Sequence, residues 1–199
     1  MIHWAIAAAR HSGVFDRIVV STDDTEIADV ARAAGAELPF LRPASLADDH
    51  TPTVPVIAHA VAALQLADDV GVCCIYPAVP LLAAADLAAG LALLDAGATG
   101  YVFPVAAYPS AVQRALLRDA DGASRPMQPQ YTETRTQDLP PAYFDAGQFY
   151  WARAATWRAG LSLHAHAHTL VLPEWRVVDI DTPADWARAE ALCQVLQPA

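Results

Sequence analysis

Short β-branched runs alternate along this chain with alanine-rich stretches of helical period, and glycines sit where several of the helical periods stop. A strand, a helix and a further strand close readily only as a right-handed crossover between parallel neighbours. The pattern therefore predicts an α/β fold, a mostly parallel sheet with helices on both faces. Residues 1–12 read as a helix with Ile2, Ile6 and Ala9 on one face, stopped by Gly13. Residues 15–22 read as a buried strand, and Asp23 with Glu26 as a capping-box start for a helix that Gly35 ends. A second short strand is predicted over 36–40. Residues 70–76 are apolar enough for a fully buried strand, and Pro77-Ala78-Val79-Pro80 stiffens the loop at its carboxyl end, where open α/β sheets place ligands. A helix over 86–96, strands over 100–106, 113–117 and 144–151, and a turn at Asp121-Gly122 complete the alternation.

Composition narrows the function classes. With 199 residues, 55% of them apolar, the chain can bury one sizeable core, and a single domain over 1–199 is expected. No apolar run reaches the length of a membrane span, and the first residues lack the basic start of a signal peptide, so the expectation is a cytoplasmic protein with no membrane partner. A formal net charge of −10 argues against a nucleic-acid surface. All 12 of the Lys and Arg residues are arginine, so a P-loop or a Schiff base is excluded. Phosphate must then be met by Arg, backbone N–H groups, helix N-termini or metal. Cys73, Cys74 and Cys193 have no disulfide or metal-finger spacing and read as reduced core residues.

The stretch Val177-Val178-Asp179-Ile180-Asp181-Thr182-Pro183 reads as a short strand running into a helix start. Asp179 and Asp181 then share a face, roughly 6–7 Å apart at their α-carbons. Two such carboxylates suit Mg²⁺ or Mn²⁺, which take their other ligands from water and phosphate. The alternative is that Asp181 or Thr182 caps the helix, with Pro183 in its first turn. Residues 41–53 form a polar loop before a helix over 54–66, read either as a phosphate or ribose site or as a surface loop with a Thr cap. Residues 124–141 are rich in Gln, Thr, Arg and Pro, which suggests an active-site flap or a dimerisation arm. His164, His166 and His168 alternate and could hold zinc on one side of a strand, or simply form an exposed edge.

Several motifs occur together in order: Ser21-Thr22-Asp23-Asp24, Phe40-Leu41-Arg42-Pro43, Leu46-Ala47-Asp48-Asp49-His50-Thr51, Gln113-Arg114-Ala115-Leu116, Arg135-Thr136-Gln137-Asp138-Leu139, Asp145-Ala146-Gly147-Gln148-Phe149-Tyr150-Trp151 and Asp179-Ile180-Asp181-Thr182-Pro183. With these the chain resembles the CMP-sialic acid synthetase family, and most closely its pseudaminic acid cytidylyltransferase branch. The resemblance implies a three-layer, nucleotidyltransferase-like (Rossmann-like) fold, a homodimer, and a Mg²⁺-dependent reaction of CTP with an acidic nine-carbon sugar that releases pyrophosphate. It implies metal binding by Asp179 and Asp181, which are also the catalytic pair. It places Arg42, Asp49, Thr51 and Thr53 on the nucleotide, and Gln113, Arg114, Arg135, Gln137, Asp145 and Gln148 towards the sugar. N-acetylneuraminic, legionaminic and 3-deoxy-manno-octulosonic acids are alternative substrates, and a non-catalytic nucleotide-sugar-binding protein is the alternative from another class.

Family members open with a strand and a phosphate-cradling loop of the pattern Ala-Arg-x-x-Ser-Lys-Arg-Ile-Pro-x-Lys-Asn, before the helix that here begins at Met1. On the resemblance, the sequence as it stands lacks that first strand and cradle. The expectation is weak CTP binding and little turnover by this stretch alone.

Overall fold

A computed structural model describes residues 1–196. In chain order the elements are α1 (Ile2–Ser12), α2 (Thr25–Ala33), α3 (Thr53–Ala63), β1 (Gly71–Ile75), α4 (Ala84–Asp95), β2 (Tyr101–Ala107), β3 (Leu116–Arg118), β4 (Ser124–Pro126), β5 (Tyr143–Asp145), β6 (Phe149–Arg153), α5 (Ala154–Ala159), β7 (Ala167–Leu172) and α6 (Pro183–Leu196). The main sheet has five strands in the order β1-β6-β2-β5, with β7 also paired to β2. Strand β2 organises it, because residues 101–106 are all buried and apolar and can be covered on both faces.

Helices cover both faces, as the alternation predicts. On one face Val61 of α3 and Ala154 and Trp157 of α5 pack on Tyr101, Phe103, Val105 and Tyr150. On the other, Ala5 of α1 and Leu87 and Leu94 of α4 pack on Val102, Phe149 and Trp151. Gly90 is what lets α4 lie this close: a Cβ there would come within 2.8 Å of Trp151 Cδ1. No described helix is long and apolar enough to cross a membrane.

The direct pairings are more mixed than the alternation predicts. Strands β2 and β7 pair in parallel, whereas β6 pairs antiparallel to both β1 and β2, and β5 antiparallel to β2. The aromatic run expected to form one strand over 144–151 lies antiparallel to β2 along its whole length, with a bulge between its two halves. Gly147 adopts φ 62, a left-handed conformation open to glycine, and splits the run into β5 and β6.

Other elements differ in detail from expectation. The strands expected over 15–22 and 36–40 reduce to one parallel bridge, Val19 to Glu37, with Val20 N donating to Glu37 O at 3.0 Å and Glu37 N to Ile18 O at 2.8 Å. Helix α2 is capped by Asp24 rather than Asp23: its Oδ1 accepts from Glu26 N at 2.7 Å and Ile27 N at 2.9 Å. Strand β1 ends the sheet order, and of its residues only Cys74 is buried. Full burial needs neighbours on both flanks as well as both faces. The run over 113–117 becomes a turn of 3₁₀ helix, Val112–Arg114, followed by β3, which pairs with β4 in a separate two-stranded hairpin. Residues 124–141 lie in that hairpin and in two further 3₁₀ turns, outside the core clusters.

Candidate functional site

Residues 177–181 leave a 3₁₀ turn, Glu174–Arg176, in extended form but pair with no strand among the described residues, in contrast to the expected short strand. Val177 and Val178 are buried and anchor the segment. The helix cap is made by Thr182 and Asp185. Asp185 Oδ2 accepts from Thr182 N at 2.9 Å and from its hydroxyl at 2.7 Å, and Asp185 N donates back to Thr182 Oγ1 at 3.3 Å. This arrangement frees the Asp179 and Asp181 carboxylates from capping work. Both line an open cavity of about 520 Å³ together with Phe144, Trp175, Val177 and Arg188.

The Asp179 carboxyl is pushed above the usual carboxylate range by desolvation first, then by the neighbouring charges of Asp181, Asp145 and Asp185. A site in which neighbouring carboxylates push the Asp179 carboxyl upward favours a cation. The fit is to a hard divalent ion that uses one or two carboxylates and completes its shell from water and phosphate oxygens. No group of three or more His, Cys, Asp or Glu placed to hold an ion is found among the described residues. The imidazoles of 164, 166 and 168 do not converge as an alternating strand would require. His164 meets Asp145, His168 Nδ1 lies 3.3 Å from Thr99 O, and only His168 of the three lies within β7.

Asp145 is the centre of a second polar cluster. Its Oδ1 accepts from Gly147 N at 2.9 Å, and its Oδ2 accepts the Tyr150 hydroxyl at 2.8 Å and lies 2.8 Å from His164 Nε2. Burial, and then the Asp145 charge, push the Tyr150 phenol far above its ordinary value, so it stays a proton donor. Tyr76 stands beside Tyr150, with ring centroids 5.4 Å apart, and its hydroxyl lies 2.7 Å from Thr53 Oγ1. Asp145 and Asp179 border the same turn: a Cβ on Gly147 would lie 3.7 Å from the Asp179 carboxylate. Thr53 at the first position of α3 is thereby joined through two tyrosines to Asp145.

The other predicted residues spread out from these clusters. Arg42 is half-buried, with Nη2 donating to Ser21 O at 2.6 Å and Nε lacking a partner among the described residues. Asp49 is exposed and Thr51 half-buried in the loop before α3, where Asp48 accepts from His50 N at 2.8 Å. Gln148 is buried, its Nε2 donating to Arg176 O at 3.2 Å. Gln113 Nε2 donates to Pro140 O at 2.9 Å and Arg135 pairs with Asp138 at 2.7 Å, while Arg114 and Gln137 are exposed. None of these residues lines the cavity at Asp179. The sequence reading missed Tyr76, Tyr150 and His164 around Asp145, and Trp175 and Arg188 in the cavity. Tyr150 lay inside a quoted motif, but the pairing of Asp145 with His164 spans 19 positions and leaves no local signal.

A family model described as "Cytidylyltransferase" matches residues 1–159. The chain belongs to the cytidylyltransferase family. This cytidylyltransferase is 32% identical over 198 residues to the pseudaminic acid cytidylyltransferase of Campylobacter jejuni, covering 98% of the chain and 85% of that relative. It is 28% identical over 211 residues to the CMP-N,N'-diacetyllegionaminic acid synthase of Legionella pneumophila, covering all of the chain and 87% of that protein. In fold it resembles a CMP:2-keto-3-deoxy-manno-octonic acid synthetase solved in complex with CTP, at a TM-score of 0.69 and 14% identity, over 98% of this chain and 88% of the other. The nucleotidyltransferase fold read from the motifs is thus present in this cytidylyltransferase.

Proposed function

We propose that this chain transfers CMP from CTP to an acidic nine-carbon 2-keto sugar, pseudaminic acid before the alternatives, and releases pyrophosphate. The observation that carries the reading is the Asp179 and Asp181 pair, left free by the Thr182 cap and opening on a cavity in a chain of this family. Identity of 32% to a pseudaminic acid enzyme, against 28% to a legionaminic acid synthase over a similar span, supports that sugar over legionaminic, N-acetylneuraminic or 3-deoxy-manno-octulosonic acid.

In this reading Asp179 and Asp181 hold Mg²⁺, with Mn²⁺ as a substitute, and the ion supplies neutralisation of phosphate charge and a template for in-line displacement. Arg42, Asp49, Thr51 and Thr53 meet the nucleotide. Arg42 is pre-set for this by its bond to Ser21 O, which removes much of the entropy of ordering a guanidinium. Asp145 and Gln148 face the sugar, Arg135 and Gln137 reach it from the arm, and Gln113 and Arg114 from the 3₁₀ turn before β3. The hairpin of β3 and β4, where the arm begins, also belongs to a proposed homodimer: Leu116 on β3 is 63% exposed and Met127, just past β4, 42%.

Pyrophosphate release from CTP with a panel of acid sugars, measured on this chain and on a version carrying the coding sequence upstream of Met1, tests the reading. Turnover with pseudaminic acid in the presence of Mg²⁺ is the expected result. No turnover of any acid sugar by either version refutes it. Light scattering on the purified protein tests the dimer.

A further inference from the structure

We infer that His164 takes the proton from the attacking sugar hydroxyl, an assignment that rests on the reaction proposed above. The imidazole is held in one orientation by two contacts: Nε2 lies 2.8 Å from Asp145 Oδ2, and the ring stands edge-on to Phe103 with centroids 5.4 Å apart. An ionised carboxylate can only accept, so Nε2 carries the hydrogen and the lone pair of the neutral ring is left on Nδ1. Asp145 is itself fixed by the Tyr150 hydroxyl from β6 and the Gly147 N–H from the turn. The side chain of His164 is 63% exposed, so the free nitrogen is open to substrate.

Position supplies the rest. Asp145 and Asp179 both border Gly147. A sugar held on the Asp145 side, and a phosphate held on the side of Asp179 and Asp181, meet beside that glycine. Asp179 and Asp181 are committed to the cation in this reaction, which leaves the imidazole, one hydrogen bond from Asp145, as the free base on the sugar side of Gly147. Among the described residues, His164 meets the charged Asp145 from β5 and, through it, Tyr150 from β6, while β2 presents the Phe103 ring.

In the step itself the hydroxyl proton passes to His164 Nδ1 as the oxygen's electron pair forms the bond to the α-phosphorus. The bond from that phosphorus to the bridging oxygen breaks, and its pair departs with pyrophosphate. The Asp145 carboxylate stabilises the imidazolium, and the imidazolium returns its proton to solvent after product release.

The test is kcat against pH, at saturating CTP and sugar acid, in whichever version of the chain turns over. His164→Gln is expected to lower kcat by about 100-fold with the KM for CTP unchanged, a loss in the range general-base groups supply. Its profile loses the acid limb seen in the wild type. Added imidazole restores part of the rate to His164→Ala, and Asp145→Asn lowers kcat while shifting that limb. Circular dichroism confirms that the variants fold. A His164→Gln enzyme with the wild-type kcat and pH profile overturns the role and leaves the proposed reaction standing. So does a loss of rate that imidazole does not rescue in a profile of unchanged shape. Absence of turnover in the wild type overturns the reaction and this role together.

Discussion

Arg176 grips Asp86 with both arms of its guanidinium, Nη1 to Oδ2 at 2.8 Å and Nη2 to Oδ1 at 3.1 Å. The pair joins the first turn of α4 to the 3₁₀ turn that delivers Asp179, and the Arg176 carbonyl accepts from Gln148 at 3.2 Å. With side chains only 21% and 13% exposed, the pair is shielded from the solvent that weakens most surface ion pairs. Removing one partner leaves the other partly desolvated and uncompensated. Asp86→Asn should therefore cost about 3 kcal/mol in denaturant unfolding, at the low end for breaking a buried pair. It should also reduce turnover, because the approach to Asp179 loosens.

Asp179→Asn should separate stability from activity. The folded carboxyl retains its proton at pH values where the unfolded one has released it, because desolvation and nearby carboxylates disfavour its charge. The metal-free wild type therefore loses stability as pH rises from the ordinary carboxylate value through the raised folded one, and the loss persists above it. At neutral pH without metal the Asn variant should melt at a higher temperature than the wild type, and the two should coincide below the ordinary carboxylate value. Added Mg²⁺ should raise the melting temperature of the wild type alone. A metal-free variant less stable than the wild type at neutral pH would contradict this.

Gly147→Ala tests the turn between the two carboxylate clusters. The added methyl meets the Asp179 carboxylate at 3.7 Å, an ordinary contact, so the cost comes from the backbone at φ 62. About 1 kcal/mol of stability should be lost. The kcat should fall further than stability alone accounts for, since Gly147 N orients Asp145.

Gly90→Ala inverts the usual expectation for a helix interior. The substitution favours the helix by about 1 kcal/mol in isolation. Here the methyl would sit 2.8 Å from Trp151 Cδ1 and 2.9 Å from Phe149 Cε2, and overpacking of a filled core costs up to about 3 kcal/mol. A net loss of about 1 kcal/mol in chemical denaturation is expected.

The parts of this fold that could be read from sequence are those governed by local rules. Gly13 closes α1 in the left-handed conformation, and α4 and β2 fall within a residue or two of their expected bounds. Thr182 acts as a helix cap in the way the cap alternative allowed, and the same bonds leave Asp179 and Asp181 available, so the two readings were never exclusive. Lateral neighbours were not legible. Residues 70–76 look equally apolar in the middle of a sheet and at its end, and only pairing shows that β1 is terminal. Short helix α5 was missed because six residues carry too little period to detect. The bond from Asp145, the last residue of β5, to His164, in the turn that precedes β7, spans a gap where no periodicity reaches.

Desolvation of the adjacent Cys73 and Cys74 thiols gives the molecule an internal gauge of its own integrity. Desolvation drives the Cys73 thiol well above its ordinary value and Cys74 up to about 12, so neither supplies appreciable thiolate to an electrophile at neutral pH. Cys193 on α6, half-buried like Cys73, is also pushed up, by desolvation and then the Glu190 charge, but less far than Cys73. An alkylating reagent added to the intact protein would thus mark the carboxy-terminal helix first, and the later appearance of label on the adjacent pair would time the opening of the sheet.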